Sequence, residues 1–272
     1  MTTTSPPSPA RPAGPAAQRV TQARVIRSEW TKLRSQPSTA WSLLATLALI
    51  VGFGALYSLL RVTRPPSDPA SFDATAVSLT GVQLAELAIG VLGVLLVAGE
   101  YATGTIRVSF AAVPRRLPVL WGKAVVLGLV TFALCLPAAL AAFLIGQSIL
   151  SAEHLDIPFG HPGVARAVVG SGLYLGAVGL LGLGLGALLR STAGAIAGLF
   201  GVLFGPQLLV GTLPAAWSDH LYPYLPVPAG VAVTAVQPDP ASLAPWSGFG
   251  LFCLYIAVVL ALAAWRLRRR DA

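Results

Sequence analysis

The sequence predicts an all-α, polytopic membrane protein with six spans, and three observations carry that reading. Of 272 residues, 55% are hydrophobic and only 10% are charged, against about 25% charged in soluble domains. Apolar runs of about 20 residues, the length that crosses a hydrocarbon core roughly 30 Å thick, recur along the chain. The basic residues sit at the ends of those runs and not among clustered aromatics. The net charge of +8 is therefore a topology signal and excludes nucleic acid as a partner.

Taken in order, residues 1–19 are rich in Pro, Ser, Thr and Ala. They read as a disordered cytosolic tail, without the apolar core of a cleaved signal peptide. Residues 20–34 read as an amphipathic helix lying in the membrane interface. Val20, Ala23, Ile26, Trp30 and Leu33 form its apolar stripe, with Arg24, Arg27, Lys32 and Arg34 off it. The first span, 41–60, carries no charge. The second, 77–99, carries one carboxylate, Glu86, and a polar segment follows from Glu100 to Pro118. The third, 119–150, is longer than the hydrocarbon requires, with Lys123 near its start and Pro137 inside, so it must tilt, kink or protrude. The fourth, 164–189, is joined to the fifth, 192–213, by a short turn at Arg190. A proline-rich stretch, 214–245, reads as loop before the sixth span, 246–265. Residues 20–265 thus form one membrane domain, and 266–272 form a basic tail.

Charge sets the expected orientation. With the N-terminus in the cytosol, 15 of the 18 lysines and arginines fall on the inside, and only Arg61, Arg64 and Arg166 fall outside. The positive-inside rule then places both termini in the cytosol and makes the span count even.

Few residues invite chemistry. Glu86 must face protein or a watery cavity, because a carboxylate facing lipid is costly. Gln83 lies one turn earlier on the same face. The pair reads either as part of a translocation pathway or as a polar clamp between helices. Gly194, Gly198, Gly201 and Gly205 form a stripe on the fifth span that permits close helix approach, either within one bundle or between subunits. The fourth span is also dense in glycine. No phosphate loop occurs, since Trp121-Gly122-Lys123-Ala124 lacks its first glycine and its hydroxyl residue. His154, His161 and His220 fall in expected loops at no catalytic or metal-binding spacing, and Cys135 and Cys253 sit singly in apolar runs. No metal, cofactor or catalytic residue is expected, and an enzyme is not.

Three places in the chain carry a resemblance. The first is the start Arg27-Ser28-Glu29-Trp30-Thr31-Lys32-Leu33-Arg34. The second is Glu-x-x-x-Gly-Thr-aliphatic from Glu100 to Ile106, followed by Pro114 and Gly122-Lys123. The third is Tyr224-Leu225-Pro226 with Ala229-Gly230 before the last span. In this order across six spans, the chain resembles the permease subunits of the type-two class of ABC exporters, over Arg24 to Ala272. The resemblance implies a substrate pathway in this chain, a separate ATP-binding subunit that hydrolyses ATP, and a second permease copy. It assigns coupling to Glu100, Gly104, Thr105, Arg107 and Pro114. Arg107 stands where many members carry an acidic residue. An ion-coupled secondary transporter would need more intramembrane carboxylates or repeats than this chain has. A membrane scaffold or sensor component is the remaining alternative.

Overall fold

The computed structural model describes residues 21–64, 72–105, 117–237 and 241–269. The tail 1–19, the end of the basic tail, and Arg107, Pro114, Arg115 and Arg116 lie outside the described residues.

Every regular element among the described residues is helical. Helix α1 spans Gln22–Ser35 and α2 spans Pro37–Thr63, which starts on a proline whose missing N–H costs nothing in a first turn. Helix α3 is Ala74–Ser78, capped by Asp73, whose carboxylate accepts from the Ala76 amide at 2.9 Å. Helix α4 is Gly81–Ala102, α5 is Leu117–Leu150, α6 is Val164–Leu189 and α7 is Thr192–Val210. Two short helices, α8 (Ala215–Leu221) and α9 (Pro226–Val231), precede α10, Pro245–Arg269. Six of these, α2, α4, α5, α6, α7 and α10, are long and apolar enough to cross a membrane.

The expected elements shift in three places. The second span does not begin at 77, because Leu79 and Thr80 turn the chain between α3 and α4. There Gly81 abuts the carbonyl oxygens of Leu49 and Ile50 on α2 so closely that a Cβ would collide with backbone. The stretch 214–245 is not plain loop. Its prolines open α9 and precede α8, as proline does at helix starts. The buried stripe of α1 is Val25, Glu29 and Leu33, with Trp30 exposed. The apolar periodicity of α1 therefore serves two faces, one against α5 and one outward.

Helix α6 is the axis of the bundle, with 78% of its apolar window buried against 22% for α2 and for α7. Glycine explains why. A Cβ on Gly182 would strike the Gly90 carbonyl of α4, and one on Gly93 would strike the Gly179 carbonyl of α6. A Cβ on Gly186 would come within 2.8 Å of the Val94 carbonyl oxygen. Lipid is as apolar as leucine, so helices in it gain by close packing of this kind and not by leaving the solvent. The glycines that bring α4 and α6 together are thus on those two helices, and Gly54 of α2 and Gly248 of α10 meet backbone carbonyls in the same way. On α7, the buried residues are Ala195, Leu199, Leu203 and Val210, and nothing among the described residues comes within 4 Å of a Cβ placed on Gly201 or Gly205. Gly198 meets only a Leu189 methyl, at 3.1 Å, and Gly194 only its own capping Ser191.

Candidate functional site

The ends of α4 and the start of α5 meet α1 at one end of the bundle. Gly122 lets α5 come close to α1, since a Cβ there would lie 3.0 Å from a Val25 methyl. The Gln22 amide adds a second tie by donating to the Pro118 carbonyl at 3.0 Å. Between them sits a ring of four charges. Lys123 donates to Glu29 at 2.7 Å and to Glu100 at 2.8 Å, and Lys32 donates to Glu29 at 2.9 Å and to Glu100 at 3.3 Å. The Lys123 and Glu29 side chains are each only 5% exposed, while that of Lys32 is 40% exposed.

Two carboxylates and two ammoniums leave the ring neutral. That balance matters, because an uncompensated buried charge costs several kcal/mol. Burial acts to lower the Lys32 pKa, but its hydrogen bond to Glu29 and the charges of Glu100 and Glu29 outweigh it, and the net direction is upward. One oxygen of Glu100 is buried without a partner among the described residues. Glu100 also walls a cleft of about 430 Å³ between the start of α2 and the end of α4, with Ser38, Ser42, Thr103 and Thr105 on its rim.

Helix α4 ends just beyond Glu100 for local reasons. Gly104 has φ +73°, a left-handed conformation that glycine adopts without penalty. The Thr103 hydroxyl donates to the Gly99 carbonyl at 3.0 Å, and the Thr103 and Thr105 hydroxyls lie 2.9 Å apart. Glu100, Gly104 and Thr105 therefore form one unit, in which the carboxylate holds the ring while the Gly-Thr pair stops the helix. Arg107 and Pro114, assigned to the same role, lie outside the described residues.

The ring unites three stretches that the sequence reading kept apart, namely Glu29 and Lys32, Glu100, and Gly122-Lys123. Glu29, Lys32 and Lys123 were named there as parts of the resemblance but not as site residues. A signal for them existed. A lysine near the start of an apolar run needs a carboxylate, and few acidic residues fall on the expected inner side.

A second polar contact lies within the membrane domain. Tyr174 of α6 donates to Glu86 of α4, and both are buried. The Tyr174 ring packs on Phe252 of α10, with centroids 5.6 Å apart. Gly230 makes room for that stack, since a Cβ there would meet Tyr174 at 2.6 Å and Phe252 at 3.0 Å. Nearby, the Tyr255 hydroxyl donates to the Tyr224 carbonyl at 2.7 Å. The Tyr-Leu-Pro and Ala-Gly motif thus seats α9 on α6 and α10. Gln83 does not join the Glu86 contact. It lines a cavity of about 200 Å³ beside it, together with Asp73, Ser171, Tyr174 and Thr234.

A six-helix apolar bundle with a charge ring at the root of an inter-span segment defines a multi-pass membrane protein of the permease kind. A family model described as "ABC-2 family transporter protein" matches residues 27–272, and the chain belongs to that family. No curated protein matches the chain.

Proposed function

We propose that this chain is the membrane-spanning half of an ATP-driven exporter, coupled to a separate ATP-hydrolysing subunit through the segment that begins at Glu100. The reading places both termini in the cytosol and pairs the chain with a second permease copy. The observation that carries it is the ring of Glu29, Lys32, Glu100 and Lys123. A force applied to the segment after Gly104 meets Glu100 first. From there it passes to α1 and α5 through short charge-assisted bonds, which are directional and stiff. A loop that only connected two spans would have no need to be tied to two other helices.

The bare α7 face with Gly194, Gly198, Gly201 and Gly205 supports the second copy, because small residues allow close backbone approach in lipid. The Glu86–Tyr174 contact supports the clamp role for Glu86, and Gln83 on the adjoining cavity supports a place in the pathway.

The test uses Glu100→Ala and Gly104→Leu in the complex co-expressed with its ATPase subunit. Each variant is expected to insert normally while losing either co-purification of the ATPase or ATP turnover by the complex. Full binding and full turnover in both would reduce the segment to a connector.

A further inference from the structure

The corner between α6 and α7 holds a cation that neither the ring nor the Glu86 contact uses. Arg190 ends α6 with φ 56°, a conformation in which a non-glycine residue is strained. That turn carries its guanidinium back over α4, where it lies 5.3 Å from the centroid of the Tyr101 ring. Its Nε and Nη2 atoms are both buried and have no hydrogen-bond partner among the described residues. These two nitrogens share one edge of the guanidinium, and that edge is the fork which grips an oxyanion with two parallel bonds. A charged donor pair left empty in a buried place is costly, so the position calls for an acceptor.

The surroundings say which acceptor. Arg266 of α10 donates to the Leu188 carbonyl, two residues before Arg190, and adds a second cation at this corner. On the same last turn of α10, Trp265 is 54% exposed and Arg269 stacks on its ring at 4.5 Å. An exposed tryptophan flanked by arginines at the end of a span marks headgroup depth. The oxyanion at that depth is phosphate.

We propose that Arg190, with Arg266 beside it, binds the phosphate oxyanion of a phospholipid headgroup at the α6–α7 corner. Arg190 as a whole is only half-buried, and its side chain must turn outward to present the fork to a headgroup. The site is independent of any ATPase coupling.

The test is native mass spectrometry of the detergent-purified protein with three probes: phosphatidylglycerol, diacylglycerol of the same chains, and inorganic phosphate. The wild type is expected to retain one phosphatidylglycerol about tenfold more tightly than diacylglycerol, the order of a lost charge-assisted bidentate contact. Arg190→Gln should fall to the diacylglycerol level, and Arg190→Lys, which keeps charge without the fork, should fall between. Arg268→Gln, an exposed cation on the same turn of α10, should match the wild type. Competition by inorganic phosphate supports the phosphate site and assigns it a soluble source. Equal retention by wild type and both Arg190 variants overturns the proposal. So does a several-fold rise in lipid retention in Asp271→Asn, which would mean that this carboxylate fills the fork. Loss of ATPase co-purification without loss of lipid also overturns it, in favour of a protein carboxylate.

Discussion

Replacing Lys123 with methionine keeps the length of the side chain and removes its charge, which makes it a clean probe of the ring. Lys123 makes two bonds of 2.7 and 2.8 Å to carboxylates, one of them as buried as itself. Without it, Glu29 and Glu100 share, among the described residues, only Lys32, whose side chain is 40% exposed, and those three carry a net negative charge. Removing one partner of a buried pair costs about 3–5 kcal/mol. At roughly 2–4 °C per kcal/mol for a chain of this size, the melting point should fall by about 10 °C. Adding Glu29→Gln restores neutrality, because one carboxylate and one ammonium remain, and should recover at least half of the loss. The assay is thermal unfolding in detergent followed by size exclusion, with protease sensitivity of α1 as a local readout. Alkali gives a second handle. The raised Lys32 pKa means that its contribution is complete below the ordinary lysine value and fades as the pH climbs through the folded value. Lys32→Met should therefore flatten the alkaline limb of the stability profile. A Lys123→Met protein melting within a degree of wild type, or a double variant no better than the single, would refute the reasoning.

Three further outcomes follow from the packing. Tyr174→Phe removes the donor to Glu86 and should cost about 1–3 kcal/mol, most of which Tyr174→Phe with Glu86→Leu should regain; thermal unfolding checks this. Gly182→Ala sets a methyl against the Gly90 carbonyl and should destabilise the monomer by about 1–3 kcal/mol through overpacking, whereas Gly201→Ala, with open space around it, should leave the melting point unchanged. Gly201→Leu should likewise leave the monomer intact but weaken self-association, measured by cross-linking in membranes, and unaltered dimer yield would remove α7 from the interface.

The fold was legible because lipid imposes a simple code. Long apolar runs with charged ends can be counted, and the six helices fall where those runs fall. What escaped depended on contacts between distant residues. The bond from Lys123 to Glu29 spans 94 positions, and no periodicity in either segment announces it. Glycine spacing was read on α7, where the stripe was regular. The glycines that the chain itself packs closely, among them Gly93 and Gly182 on α4 and α6 and Gly54 on α2, are marked by close approach to a carbonyl and not by regular spacing. Glu100, Gly104 and Thr105 stood out only as parts of a motif. Their geometry supplies the reason for it, in a carboxylate anchored at a helix end and a left-handed glycine that stops the helix beyond it.

The most direct test of the coupling claim is an ATP-dependent cross-link. With Cys135 and Cys253 both replaced by alanine, a single cysteine at Thr105 is treated with a short bifunctional reagent in membranes that contain the co-expressed ATPase subunit. A cysteine at Ser247, exposed at the start of α10, serves as the comparison from the other end of the bundle. The account predicts an adduct with the ATPase at Thr105→Cys, changed in yield by ATP, and none at Ser247→Cys. An adduct at Ser247→Cys alone, or no adduct at Thr105→Cys with or without ATP, would contradict it.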